Sequence, residues 1–157
     1  MSGERPGDRY EGGGPAEPNL GLLCFIAHRA MEGAVFDALA KAGYDDFTVA
    51  QGRVFARIGP LGTRVTELAE QAGVTKQTAG FLVDQLERSG YVHRTPDPSD
   101  ARARLVHIAP RGAAAVAVAR GAEAAVEAQW SAHLGVRATR QLRSALNRLR
   151  EITDPYG

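Results

Sequence analysis

Apolar residues recur at helical spacing along most of this chain, and the pattern changes to strand-like alternation in one place. From 19 to 42 the apolar residues keep a near-helical spacing, and Gly43 marks the end of that helix. Thr48 with Gln51 three residues later has the pattern of a capping box, and Pro60 breaks the helix that follows. The first third of the chain is therefore predicted to contain two helices.

Two shorter helices are predicted next, separated by a glycine turn. Gly73 can adopt the positive φ that ends the first of them. Thr66 is predicted to cap the first helix and Thr75 the second. The second helix has four apolar residues at i, i+3, i+4 and i+7, which define its buried side: Ala79, Leu82, Val83 and Leu86. Its exposed side is predicted to carry Lys76, Gln77, Gly80, Phe81 and Asp84.

The sequence after this helix is typical of a β-hairpin. Residues 91–94 have the aromatic and β-branched content of a strand, and residues 104–108 alternate polar with apolar side chains. Residues 96–100 are predicted to form a loop between them. The order of helix, turn, helix and ribbon indicates a winged helix-turn-helix, in which one helix enters a DNA groove and the hairpin lies beside it.

The exposed side of the second helix is unusual for a solvated surface. Gly80 costs a helix interior about 1 kcal/mol relative to alanine, and Phe81 lies outside the apolar stripe. Both fit a close approach to DNA, since glycine leaves room and a phenyl ring can contact a thymine methyl group. The alternative is a solvated face whose Phe81 is covered by a neighbouring element. Base reading is predicted for three polar side chains beside Lys76: Thr75, Gln77 and Thr78.

Charged residues cluster in the predicted hairpin. Three arginines surround two carboxylates: Arg94, Arg102 and Arg104 beside Asp97 and Asp100. We predict that Asp97 and Asp100 stabilise the tip, with Asp100 pairing with Arg94 or Arg104. This arrangement would leave Arg102 free to enter a minor groove. The alternative is a surface ion-pair cluster, in which each pair contributes at most about 1 kcal/mol.

Taken together, these residues resemble the multiple-antibiotic-resistance regulator (MarR) family. The resemblance runs through VTELAEQAGVTKQTAG, LVDQLERSGYVHR, DPSDAR and APRG, and with the flanking helices it covers roughly residues 19–152. It implies a mainly α fold with a small β-wing, in which residues 46–109 form the winged helix-turn-helix. The helices of 19–45 and 110–152 would form a dimerisation domain. The implied function is a homodimeric regulator of transcription, most often a repressor, that binds double-stranded DNA and responds to a small molecule.

The chain departs from the family pattern at two positions. Family members commonly have a basic residue where this chain has Phe81, and another at Ala101. Lys76 is then the one cation on the exposed side of the predicted recognition helix, so an arginine is not available there to read guanine. Binding is expected to depend on the wing arginines and on backbone contacts.

The helix that follows the hairpin is predicted to begin at Pro110 and is alanine-rich and apolar on most sides. Such a helix favours burial on more than one face. We therefore predict that four of its residues pack against a partner subunit: Val116, Val126, Trp130 and Leu134. A dimer would place two recognition helices about one DNA turn apart, roughly 34 Å, and would require a pseudo-palindromic operator.

The sequence gives the least information about what the regulator would respond to, a small molecule or an oxidant. In the family the effector pocket usually lies between the dimer helices and the winged lobe. That position makes five side chains candidates for effector binding: Phe25, His28, Phe47, Phe55 and Trp130. Cys24 lies where members that sense organic hydroperoxides keep a reactive cysteine, so redox sensing is an alternative. A third possibility for Cys24 is a small buried apolar residue.

Composition limits the other classes of function. The 157 residues fit one domain, no apolar run reaches eighteen residues, and the glycine- and proline-rich segment 1–18 is predicted to be a disordered tail. Residues 153–157 are predicted to be a short C-terminal tail. The single cysteine excludes an internal disulfide and suits the cytoplasm. The net charge of +1 does not by itself indicate nucleic acid.

No catalytic or metal-binding pattern stands out. The four histidines have no metal-ligand spacing, and no nucleophile motif or carboxylate pair is apparent, so neither an enzyme nor a cofactor is expected. The rival interpretation from another class is a winged-helix protein-interaction module, with Phe81 as an apolar anchor.

Overall fold

The computed structural model describes residues 17–156. Its elements are α1 (Leu20–Lys41), α2 (Val49–Phe55), β1 (Thr63–Arg64), α3 (Val65–Ala72), α4 (Lys76–Arg88), β2 (Val92–Asp97), β3 (Asp100–Ile108), α5 (Pro110–Leu134) and α6 (Val136–Thr153). The predicted fold class, mainly α with a small β-wing, is confirmed. All but two residues of the predicted tail over 1–18 lie outside the described range. None of the helices within that range is long and apolar enough to span a membrane.

Of the predicted caps, that of α2 is confirmed and that of α3 is wrong. Gln51 donates its backbone N–H to the Thr48 hydroxyl over 3.2 Å, and its side chain accepts from the Thr48 N–H over 3.0 Å. Helix α3 begins at Val65, one residue before the predicted cap Thr66, and Arg64 occupies the N-cap position. The reason is that β1 holds the chain extended as far as Arg64, so the helix starts directly afterwards.

The wing belongs to a three-stranded antiparallel sheet in the order β1-β3-β2. The two residues of β1 were not predicted, because so short a strand has no periodicity. The loop predicted over residues 96–100 is also wrong in extent, since β2 continues through Pro96 to Asp97 and β3 begins at Asp100. Pro96 is tolerated because β2 is an edge strand, where the missing N–H interrupts no interior ladder. The register is irregular between Pro96 and Asp97.

A shared apolar core fixes the orientation of α4. The four α4 side chains predicted to be buried are all at most 7% exposed. Three of them, Leu82, Val83 and Leu86, join a cluster that includes Leu68 of α3, Val92 of β2 and Val106 of β3. Because one side of α4 is held in this core, its opposite side must face outward.

A buried tyrosine joins the end of α4 to two other segments. Tyr91 is fully buried, and its hydroxyl donates to Asp46 in the connection between α1 and α2. Arg111 of α5 donates to Asp46 over 3.0 Å and to the carbonyl oxygen of Ser89, and its guanidinium lies 4.3 Å from the centre of the Tyr91 ring. Burial and the Asp46 hydrogen bond raise the pKa of Tyr91, and that bond lowers the pKa of Asp46. We call Asp46, Tyr91 and Arg111 the junction.

A second polar cluster holds the tip of the wing. Arg64 donates from Nε to Asp97 over 2.7 Å and from Nη2 to the Ser99 hydroxyl over 3.2 Å. The other carboxylate oxygen of Asp97 accepts from the Ser99 backbone N–H over 2.8 Å, and Asp97 is only 8% exposed. These contacts connect the tip to the start of α3, and we call them the wing anchor.

The expected pairing of Asp100 with Arg94 or Arg104 is wrong. Asp100 is exposed, and its carboxylate accepts from the backbone N–H of Arg102 over 3.0 Å. Arg94 instead turns toward α4. The reason is local, because Asp100 lies at the first position of β3 and its short side chain reaches the backbone two residues ahead.

The long helices expose much apolar surface. No residue of α6 is buried, and exposed leucine, isoleucine and phenylalanine side chains lie on both α1 and α6: Leu20, Leu22, Leu23, Phe25, Ile26, Leu142, Leu146, Leu149 and Ile152. Of the four α5 residues predicted to pack against a partner, Val126 is buried within its own chain and Val116 is partly buried against its own core.

We predict that Gly112→Ala destabilises the protein by about 1–3 kcal/mol. A Cβ at Gly112 would collide with the carbonyl oxygen of Tyr91, which belongs to the backbone and cannot turn aside. Gly121→Ala in the same helix is the control, since its Cβ meets nothing within 4 Å. It should gain up to about 1 kcal/mol from helix propensity. Urea unfolding of both variants measures the difference, and equal stability of Gly112→Ala and the wild type would contradict the packing.

A further prediction concerns pH and the wing anchor. The hydrogen bonds from Ser99 and then Arg64 lower the pKa of Asp97. A carboxyl with a lowered pKa stabilises the fold above its unfolded value, about 3.9, and loses that contribution as pH falls through the folded value. Asp97→Asn should therefore lower the unfolding free energy at pH 7, and the gap to the wild type should narrow below about pH 4. Urea unfolding across this range tests it, and a gap independent of pH would argue against it.

Candidate nucleic-acid interface and apolar cavity

The outer side of α4 is exposed as predicted. Lys76 and Gln77 lie in its first turn and are exposed, and Phe81 is 57% exposed one turn further on. No element of the described chain covers the Phe81 ring, which removes that alternative within one protomer. The first two turns of this helix face thus present one cation, one amide and one aromatic ring.

The first turn of α4 also contains two threonines that were predicted to read bases. The Thr75 hydroxyl accepts from the Thr78 backbone N–H over 3.1 Å and donates to the Thr78 hydroxyl over 2.9 Å. Thr75 is therefore used as the N-cap, while the hydroxyl proton of Thr78 can still be donated outward. A Cβ at Gly80 would meet nothing within 4 Å, so the packing of this chain does not require glycine there.

Two wing arginines lie on β3. Arg104 is two residues from Val106 and shares its side of the sheet, and Val106 is buried in the core next to α4. Arg102 lies nearer the tip, where the register with β2 is irregular. Both arginines are exposed, and within residues 17–156 neither forms a salt bridge. Their charges remain available to an anion that contacts α4 and the wing together.

Arg94, predicted as a third DNA-binding cation of the wing, is placed differently. Its guanidinium donates to Asp84 over 2.7 Å and to Glu87 over 3.0 Å, both on α4. The side chain is only 17% exposed. Two carboxylates therefore neutralise its charge, and the structure does not present it as a free cation.

Sequence reasoning missed Arg64, which carries the wing anchor. The contact joins residues 33 positions apart, and nothing in the local pattern around Arg64 indicates an ion pair. A basic residue directly before a helix, where the dipole disfavours it, was the available signal.

An apolar cavity of about 410 Å³ lies between α1, α2 and α5. Most of its walls are aliphatic or aromatic, and Phe36, Phe47 and Phe55 provide the rings. Its charged side chains are Glu32, Arg53, Arg120 and Glu123. Glu32 accepts from Arg53 over 3.4 Å through both oxygens. A flat, mostly apolar molecule with one polar group matches these walls, and the volume is in the range of small-molecule sites.

Three of the five predicted effector residues meet at this cavity: His28, Phe47 and Phe55. Phe25 points elsewhere, as it is 55% exposed and does not line the cavity. Trp130 lines a separate groove between α5 and α6. Both were chosen from the course of their helices, and the rotation of a helix about its axis decides whether a given side chain faces inward.

Cys24 lies on α1 with an exposed thiol, among the exposed apolar residues of that helix. Cys24 is therefore not a buried apolar residue within one protomer. Across residues 17–156, no group of three or more histidine, cysteine or acidic side chains is arranged to hold a metal ion.

The winged lobe matches a family model in sequence, and the chain as a whole resembles several solved structures in fold. A family model described as MarR family matches residues 45–103. A crystal structure of MarR is 25% identical with a TM-score of 0.71, covering 87% of this chain and 98% of that one. A Mycobacterium tuberculosis MarR family protein in complex with salicylic acid is 25% identical, with a TM-score of 0.63 and coverage of 85% and 98%. A transcriptional regulator of Thermotoga maritima is 26% identical, with a TM-score of 0.60 and coverage of 86% and 91%.

No match was found among curated proteins. The family match runs from α2 through the exposed helix α4 to the first residues of β3, and the structural likeness extends over the flanking helices. The winged lobe of this chain thus matches the MarR family model, and the whole chain has the fold of MarR-family structures.

Proposed function

We propose that this protein is a cytoplasmic, homodimeric repressor that binds a pseudo-palindromic operator and is released from it by a small molecule. The observation that carries the proposal is the shared exposure of two surfaces. The outer side of α4 exposes Lys76, Gln77 and Phe81, and strand β3 of the wing exposes Arg102 and Arg104. A helix flanked by a cationic hairpin matches a major groove and the adjacent backbone or minor groove.

The low charge of α4 indicates how the two surfaces divide their roles. Lys76 is the one cation in the first two turns of its outer face, since the exposed Arg88 lies in the last turn, so bases would be read by Gln77, Thr78 and contact of Phe81 with thymine methyl groups. Phosphate attraction would come mainly from Arg102 and Arg104. Gly80 would allow the helix backbone to approach the groove.

The exposed apolar side chains of α1 and α6 support a homodimer. On α6 the residues Leu142, Leu146, Leu149 and Ile152 are all at least 45% exposed, at the spacing of one helix face. So large an apolar surface is rare on a monomer and marks an interface. Pairing these helices with those of a second copy would cover them and would fix the distance between the two copies of α4.

The cavity supports a small-molecule effector. It lies between α1, α2 and α5, so its walls come from the winged lobe and from the long helices together. A bound molecule would therefore affect how the two lobes meet. Salicylate is a suitable probe because a relative has been solved with salicylic acid, and its ring and single charge fit apolar walls with arginines at the edge.

One observation favours a second candidate function. Phe81 is exposed in the middle of α4, and an exposed aromatic ring among few cations is also typical of a protein-docking surface. The two functions differ in their salt dependence, since only DNA binding releases condensed counterions.

A salt-titrated gel shift with the duplex upstream of the protein's own gene tests DNA binding. We expect specific binding by a dimer that weakens steeply as salt rises. Arg102→Gln should lower the slope of log affinity against log salt by about 1 for each protomer. Gln77→Ala should leave that slope unchanged and cost about 1–3 kcal/mol on the specific site only. Failure to bind any duplex at low salt would rule out the repressor. Unchanged operator binding by a protein that combines Arg102→Gln with Gln77→Ala would rule it out as well.

Filling the cavity tests effector release. Ala119 of α5 lines the cavity, so Ala119→Phe should keep operator binding and weaken release by salicylate at least tenfold, about 1.4 kcal/mol. Ala117→Phe on the exposed side of the same helix is the matched control. Gel shifts with increasing salicylate provide the measurement. Equal release of Ala119→Phe and wild type would place the effector elsewhere, and no response of the wild type would count against this class of ligand.

A further inference from the structure

Arg94 of β2 makes the shortest polar link between the wing and α4. Its Nη2 donates to Asp84 over 2.7 Å and its Nη1 to Glu87 over 3.0 Å. The two carboxylates are three residues apart on α4, so one guanidinium reaches both with its two terminal nitrogens. The Arg94 side chain is 17% exposed, against 58% for Asp84 and 42% for Glu87. The arginine is thus the least hydrated member of the group.

The direction of Arg94 follows from the sheet register. Arg94 pairs with Val106 of β3, and the side chains of such a pair lie on the same side of the sheet. Because Val106 is fully buried, the Arg94 side chain must leave β2 toward the helices. Its stem therefore crosses the space between wing and helix, and its charged end meets the carboxylates.

The two carboxylates are otherwise in an unfavourable place. They lie in the second half of α4, where the helix dipole disfavours negative charge. They also flank the face that would meet DNA phosphates, and each would repel them. Arg94 offsets both effects, leaving the group of three with a net charge of −1.

From this geometry we infer that Arg94 is a positioning residue, which sets the angle between the recognition helix α4 and the wing through Asp84 and Glu87. It does not contact a phosphate. The inference rests on the proposed DNA-binding function. A helix in a major groove and a hairpin at its edge must keep a fixed relative position. The connection between them is only Ser89, Gly90 and Tyr91, with Gly90 at a φ of 79°.

The test depends on whether removing the two carboxylates strengthens or weakens operator binding. The double substitution Asp84→Asn with Glu87→Gln, which we call the carboxylate variant, removes two negative charges from the DNA-facing side. If Arg94 were a phosphate contact, this change would release it and strengthen operator binding. If Arg94 positions the wing, the same change should weaken operator binding roughly tenfold. Both substituted residues are exposed, so the fold should be retained.

Arg94→Gln provides the second arm of the gel-shift experiment. We expect it to weaken operator binding at least as much, because it leaves both carboxylates uncompensated, with an unchanged salt slope and no loss beyond that of the carboxylate variant when the two are combined. Arg102→Gln is the reference for a lost phosphate contact, with a slope lower by about 1 for each protomer. Glu70→Gln controls for the removal of a negative charge, since Glu70 is exposed on α3 and forms no salt bridge within the described residues.

Amide hydrogen exchange without DNA separates this inference from the proposed function. The carboxylate variant and Arg94→Gln should both speed exchange in β2 and β3 several-fold relative to the wild type and Glu70→Gln. Unchanged exchange in both variants would overturn the inference whether or not the protein binds DNA. Operator binding that is stronger in the carboxylate variant, or a lower salt slope in Arg94→Gln, would overturn it as well. A wild type that binds no DNA would reject the proposed function alone.

Discussion

Tyr91 follows α4 by only three residues and is fully buried, so the end of α4 cannot move independently of the groups that surround that ring. Its hydroxyl is bound by Asp46, its face is covered by Arg111, and its carbonyl oxygen lies against Gly112. A buried phenol must find a hydrogen-bond partner, and here the partner lies in the connection between α1 and α2. This polar contact therefore joins the winged lobe to the long helices in addition to the apolar core that they share.

The same junction lies next to the apolar cavity. Phe47, which lines the cavity, packs edge-on against Tyr91 with ring centres 4.8 Å apart. It also packs against Phe55 at 5.3 Å, and Phe55 lines the cavity as well. The proposed effector would thus contact rings that support the end of α4. Close-packed aromatic rings transmit a displacement because they leave no space to absorb it.

The arginines in and next to the winged lobe fall into two groups. Arg64, Arg94 and Arg111 are bound to carboxylates, and each connects two different segments of the fold. Arg102 and Arg104 are exposed on β3 and remain for an anionic partner. This division explains how a chain with a net charge of +1 can still present a local cationic surface. It also means that a count of basic residues overstates the charge available to DNA.

The sequence determined the helices, the buried side of α4 and the position of the hairpin, because periodicity and capping are local properties of a chain. It also determined that Phe81 and Lys76 lie on the outer side of α4, since fixing one face of a helix fixes the other. The tertiary structure alone decided which arginines are bound and which are free. It placed Arg94 beside α4 and Arg64 beside Asp97, and it brought His28, Phe47 and Phe55 to one cavity while leaving Phe25 outside. These outcomes depend on strand register and helix rotation, which arise from contacts between residues far apart in the chain.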